Sequence, residues 1–320
     1  MSFALGVRPA VGRRKSTLFG ATQAPLVDSA SNTRVEGEAH PAMPDEGHRA
    51  LRGATRAPLI DTHCHIYGAE FDADRDAVIR RAQAAGVTKM VVVGTDLPSS
   101  RQCVALAEKY PFLFATVGLH PHDSHLFSDA VFSELAQLCG HPRVVGIGET
   151  GLDYYYGHST PADQRRAFLA QIALAKQAGL PLVIHTREAW EETFSILHQE
   201  GMDRHAREVG AVFHCFTGDR AIAERAIAIG FYLSFSGIVT FPKSVTLQEA
   251  AACADLERLL IETDSPYLAP QGFRGKRNEP AYVRAVAEKM ASLHAVTPEE
   301  MALRTTRNAE RLFKFSAHSQ

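Results

Sequence analysis

An α/β fold, a (β/α)8 barrel of the TIM type, is predicted by three features of this 320-residue chain. From residue 59 onward, apolar strand-like runs alternate with longer helix-like segments, which argues for a parallel sheet with helical crossovers. Eight such runs fit into about 250 residues, the usual size of such a barrel. The first run leads into His63-Cys64-His65. A doubly wound open sheet, the alternative parallel arrangement, would usually carry a Gly-rich phosphate turn there.

The strand runs are 59–65, 89–95, 113–120, 144–150, 182–187, 211–217, 231–237 and 259–264, and helical periodicity marks 72–85, 161–178 and 219–229. One barrel domain is therefore expected over 58–316, with 317–320 as a tail. Residues 1–57 mix Ala, Ser, Gly, Pro and Arg without a sustained period, and Arg8, Arg13, Arg14 and Lys15 are the charges before Asp28. Such a segment reads as a disordered extension or as an organelle transit peptide. No apolar stretch follows the basic residues as a secretory signal would require.

The composition, 45% hydrophobic and 22% charged, is that of an ordinary soluble domain. A net charge of −2 argues against a protein that coats long duplex DNA, which favours a basic surplus. It leaves room for an enzyme that takes a nucleic-acid end through metals. The five Cys are odd in number and widely spaced, so reduced thiols are expected rather than a disulfide scaffold. The expected location is cytoplasmic, or an organelle if residues 1–57 are a transit peptide. No apolar run is long enough to span a bilayer, so no membrane partner is expected.

In a barrel the active site lies at the C-terminal ends of the strands. The first strand ends in His63 and His65, the third in His120 with His122 behind it, and the fourth in Glu149. The fifth ends in His185, the sixth in His214 and the eighth in Asp264. A single histidine after a strand is ordinarily structural. This many at one mouth has no easy structural account, because buried charges need partners and divalent cations supply them. His63 and His65, at i and i+2, point the same way. His63, His65 and Asp264 come from neighbouring strands and suit one cation; His185 and His214 suit a second; Glu149 can bridge both. Two divalent ions, drawn from Mg, Mn and Zn, are the expected cofactors, with imidazole ligands favouring the transition metals.

The runs 61–65 (DTHCH), 118–122 (GLHPH), 148–154 (GETGLDY), 183–187 (VIHTR), 213–216 (FHCF), 262–267 (ETDSPY) and 274–280 (RGKRNEP) resemble those of the TatD family of metal-dependent deoxyribonucleases. The resemblance covers residues 59–315. It implies His63, His65, Glu149, His185, His214 and Asp264 as metal ligands, in line with the reading above. It also implies hydrolysis of phosphodiester bonds in nucleic acid, commonly 3′-5′ on single-stranded DNA or 3′ ends, with RNA a substrate for some members. Many related barrels bridge their metals with a modified Lys. None stands at a strand end here, and Glu149 takes that place.

On this reading Asp264 is the general base or water orienter and Glu149 the second catalytic carboxylate. Arg187 would clamp a phosphate oxygen, with His120 and His122 near the phosphate or leaving oxygen. Asp153 and Glu262 would orient ligand imidazoles. In the loop 269–280, Arg274, Lys276 and Arg277 would follow a nucleic-acid backbone, and Phe273 or Tyr267 would stack a base. Asn278-Glu279-Pro280 would cap the next helix, and Trp190 would pack. Two rival functions use the same barrel: hydrolysis of a small ester, amide or phosphoester, and non-catalytic metal binding in an interaction protein.

Overall fold

The structure is a computed structural model that describes residues 57–315. The expected extension, Ala57 apart, and the expected tail lie outside the described residues. Eight parallel strands form one sheet in sequence order: β1 (Leu59–Cys64), β2 (Val87–Val93), β3 (Leu113–Val117), β4 (Val144–Asp153), β5 (Leu182–Arg187), β6 (Ala211–Phe213), β7 (Tyr232–Phe235) and β8 (Leu259–Ile261). The ring closes at its C-terminal end. There the Asp264 N–H donates to the His63 carbonyl at 2.9 Å and the His65 N–H to that of Ser265 at 2.7 Å. The helices between strands are α1 (Arg75–Ala84), α2 (Leu97–Lys109), α3 (Asp129–Leu138), α4 (Pro161–Ala178), α5 (Trp190–Gln199), α6 (Met202–Glu208), α7 (Arg220–Ala228) and α8 (Val245–Cys253). After β8 come α9 (Val283–Leu293) and α10 (Pro298–Phe313). This is the predicted (β/α)8 barrel. Among the described residues no helix is long and apolar enough to cross a membrane. All five Cys are free.

Strand alternation builds the two cores. Ile60, Val91, Phe114, Val145, Val183, Val212, Tyr232 and Leu260 come one from each strand and form a single buried cluster, the inner layer of the barrel. Leu312 and Phe313 of α10 join it and seal the floor. Residues of the opposite strand face, such as Met90, Leu113, Ile147, Ile184, Phe213 and Leu259, pack under the surrounding helices. Trp190 belongs to this outer core, its ring 5.3 Å from Phe213 and 5.4 Å from Phe216.

Local signals place the helices. The Thr160 hydroxyl accepts the Asp163 N–H, Pro161 opens α4, and Gly179 at φ 64° ends it. Asp96 and Ser99 form a reciprocal cap at the start of α2. The helix expected at 72–85 begins later, at Arg75, because residues 69–71 form a 3-10 turn first.

Strand ends depart from expectation. The runs 113–120, 211–217 and 259–264 stop as strands at Val117, Phe213 and Ile261, whereas β4 runs on to Asp153. Beyond β6 and β8 the backbone turns left-handed at Cys215 (φ 41°) and Asp264 (φ 56°), which a ladder does not tolerate. Several of the strand-end groups therefore stand on the first residues of the loops. There the backbone leaves the barrel wall, while His63, Glu149 and His185 reach the mouth from the strands themselves.

Candidate metal centre

Glu149 lies on β4 at the centre of the mouth, and its two carboxylate oxygens face different sides. Its Oε2 is 3.2 Å from His63 Nε2 and 3.7 Å from His65 Nε2. Its Oε1 is 2.7 Å from His214 Nε2, 3.2 Å from His185 Nδ1 and 3.2 Å from His120 Nε2. Asp264 closes the first side, with Oδ1 3.3 Å from His65 Nε2 and 3.8 Å from His63 Nε2. Three overlapping groups have ligand atoms within 4.8 Å of one another: His63, His65 and Glu149; His63, His214 and Asp264; and His120, Glu149 and His185.

Hydrogen bonds on the far side of the His65 and His185 rings set the direction of their lone pairs, whereas the buried Nδ1 atoms of His63 and His214 have no hydrogen-bond partner among the described residues. His65 Nδ1 lies 2.9 Å from the Val93 carbonyl, which can only accept, so Nδ1 carries the proton and the Nε2 lone pair faces Asp264. His185 Nε2 lies 3.0 Å from Asp153 Oδ2, which leaves the Nδ1 lone pair towards Glu149. His63 Nε2 and His65 Nε2 approach to 3.1 Å. The lone pairs of His65 and His185 that face Asp264 and Glu149 are repulsive unless a positive charge sits between them. The donor set thus fits divalent cations.

His120 is different. Its Nδ1 accepts the His122 N–H at 3.1 Å, so the neutral ring carries its proton on Nε2 and donates to Glu149. Burial pushes its pKa down to about 4, which keeps it neutral at pH 7. His120 thus stands against Glu149 itself, where the sequence suggested a phosphate contact.

Burial by itself would raise the Glu149 pKa, but His214, His120 and His63 hold it well below the ordinary carboxylate value. Burial likewise opposes charge on His65, and the Asp264 carboxylate beside it outweighs burial and raises its pKa. Asp61, which the sequence reading did not single out, is pushed up to about 8 by burial. It accepts the Thr263 N–H at 2.9 Å and the Thr263 hydroxyl at 2.6 Å, tying β1 to the turn that carries Asp264. Its place two residues before His63, on the same strand face, was the available signal.

Asp153 and Glu262 stand behind the imidazoles. Asp153 Oδ2 holds His185 and also His122, at 2.9 Å from Nε2. Glu262 Oε1 accepts the Cys215 N–H at 2.7 Å and lies 3.4 Å from His214 Nδ1, beyond good hydrogen-bond geometry.

The basic residues scatter. The Arg187 guanidinium sits over the rings of Tyr155 and Tyr156, at 3.9 and 4.7 Å. Arg274 and Lys276 are exposed, Arg274 lying over the Phe241 ring. Arg277 is engaged elsewhere: its Nη1 and Nη2 each lie 2.8 Å from an Asp74 oxygen, and its guanidinium covers Phe71. Phe273 stacks on Tyr282 at 3.9 Å, while Tyr267 is exposed near His65. Asn278 does not cap a helix; its amide donates to the carbonyls of Thr263 and Tyr267 and braces the loop after β8.

The Arg277 hydrogen bonds hold the Asp74 pKa at about 2, below its ordinary 3.8. A carboxyl depressed on folding stabilises above its unfolded pKa, and the gain is lost as pH falls through the folded value. Asp74→Asn should therefore cost stability at pH 7, with a deficit that narrows between pH 4 and 2. Urea titrations of both proteins at stepped pH read this; a deficit independent of pH would exclude the ion pair as its source.

The geometry can be set beside known proteins. The family model described as "TatD related DNase" matches residues 60–314. A Bacillus subtilis protein named as an uncharacterized metal-dependent hydrolase, YabD, is 44% identical over 258 residues, spanning 81% of this chain and all of the relative. A Salmonella typhimurium protein named 3′-5′ ssDNA/RNA exonuclease TatD is 38% identical over 261 residues, covering 80% of this chain and 99% of its own. The crystal structure of a TatD homologue, YJJV of Escherichia coli, superposes with a TM-score of 0.75 at 31% identity, covering 80% of this chain and 98% of that one.

Proposed function

The chain belongs to the family of TatD related DNases, and from that premise we propose that it is a metal-dependent nuclease that removes nucleotides from the 3′ end of single-stranded DNA, with RNA as a further substrate. One observation carries the chemistry. The two oxygens of the buried Glu149 each face a separate set of imidazoles, as a carboxylate shared by two cations would. The 38% identical Salmonella relative supports the choice of substrate, since its name specifies 3′-5′ action on single-stranded DNA and RNA.

His63, His65 and Asp264 would hold one divalent ion, His185 and His214 the other, with Glu149 between them. Such ions lower the pKa of water and offset charge at the attacking and leaving oxygens of an in-line displacement. The chain's own side chains do the rest. Burial opposes ionisation of Asp264, but His65 beside it and the nearby imidazoles of His63 and His214 hold its pKa down, so it can accept a proton at the edge of the site. His120 holds Glu149 in place by donating to it. Asp153 keeps His185 in the tautomer that presents Nδ1.

The test uses single-stranded DNA labelled at one end or the other, with Mg, with Mn and with chelator. A 5′ label should yield a descending ladder and a 3′ label immediate mononucleotide, both abolished by chelator. Intact DNA with metal-loaded, folded protein would overturn the nuclease reading and turn the search to small esters and amides.

A further inference from the structure

We propose that Tyr155, Tyr156 and Arg187 form a nucleotide-binding platform beside the metal centre, which takes one unpaired nucleobase on its rings and that nucleotide's phosphate on its guanidinium. The proposal rests on the nuclease reading above and names how that site would prefer single strands.

Three observations support it. Tyr155 and Tyr156 are large apolar side chains left 49% and 52% exposed, side by side with ring centroids 4.8 Å apart. An exposed aromatic pair in mutual contact offers π faces on which a planar ligand can stack. The Arg187 guanidinium lies against both rings and has no hydrogen-bond or ion-pair partner among the described residues. Its N–H edge stays available to a phosphate while its face backs the rings.

The platform is also fixed to the metal centre by one carboxylate. Asp153 Oδ1 accepts the N–H groups of Tyr155 and Tyr156 at 3.0 and 3.1 Å, while its Oδ2 holds His185 and His122. His122 in turn meets the Tyr156 ring edge-on at 5.2 Å. A base stacked on the tyrosines is thereby held at a set position relative to Glu149. Every base has a π face, so such a platform tolerates sequence but requires the base to be out of a duplex.

The experiment compares the wild type with Tyr155→Leu/Tyr156→Leu and Tyr155→Phe/Tyr156→Phe, all loaded with Mn. Substrates are oligothymidylates whose three 3′-terminal units are either normal or abasic. The wild type should lose about 5- to 100-fold in kcat/KM on the abasic substrate, mainly through KM. The Leu pair should lose as much on the normal substrate and show no further loss on the abasic one. The Phe pair should behave as the wild type, since stacking needs the ring and not the hydroxyl. Undiminished discrimination in the Leu pair, with its metal content intact, would overturn the platform alone. Failure of the wild type to cleave either oligonucleotide would overturn the nuclease reading and the platform with it.

Discussion

Glu149→Gln should lower metal-dependent cleavage by at least about 10³-fold and should leave the purified protein short of bound metal. The substitution keeps shape and removes the charge. Its amide N–H groups would donate to the imidazole lone pairs that a carboxylate leaves free for cations, on whichever side the nitrogen turns. The backbone should hold, because the Glu149 N–H bonds the Gly94 carbonyl at 2.9 Å and the strand pairing of β4 does not involve the side chain. The measurements are kcat/KM on a single-stranded oligonucleotide, metal content by mass spectrometry after dialysis, and circular dichroism to check the fold. A variant that keeps its metal and stays within about tenfold of the wild type would remove Glu149 from its bridging place.

The second large effect concerns the wall rather than the mouth. Gly151 in β4 has φ 137°, and a Cβ there would lie 2.0 Å from the His185 carbonyl oxygen. An Ala must both adopt a backbone conformation that L residues disfavour, at about 1–2 kcal/mol, and push into the adjacent strand, at about 1–3 kcal/mol. Gly151→Ala should therefore destabilise the barrel by about 2–5 kcal/mol, a large part of the roughly 5–15 kcal/mol a domain possesses. It should also displace His185. Gly157→Ala is the matched control: its φ is 64°, but nothing lies within 4 Å of the new atom. Guanidinium chloride unfolding of both variants decides the matter. Equal midpoints would mean that β4 and β5 can separate at no cost.

Much of this molecule is local in origin, and that part can be read along the chain. Apolar alternation in eight runs sets the barrel, because a strand's side chains alternate faces whatever lies beside it. The helix expected at 161–178 is found as Pro161–Ala178, since Thr160, Pro161 and Gly179 act within a turn of its ends. The ring of His, Glu and Asp at strand ends follows from the same pattern, because a barrel gathers those ends at one mouth.

What needed the tertiary structure is whatever depends on distance between separate strands. The proton on His120 Nε2 follows from the His122 N–H on its other side, and the sequence offers no equivalent. Arg277 looked available to a nucleic-acid backbone, yet its partner Asp74 stands 203 residues earlier in the chain. Arg187 follows His185 in sequence, but it is the turn held by Asp153 that lays Tyr155 and Tyr156 against it. The ends of β6 and β8 likewise depend on left-handed turns at Cys215 and Asp264. The sequence by itself determined the architecture and which residues meet at its mouth. Only the fold decided each one's proton, partner and facing direction, because hydrogen bonds and ion pairs are won by the nearest group in space.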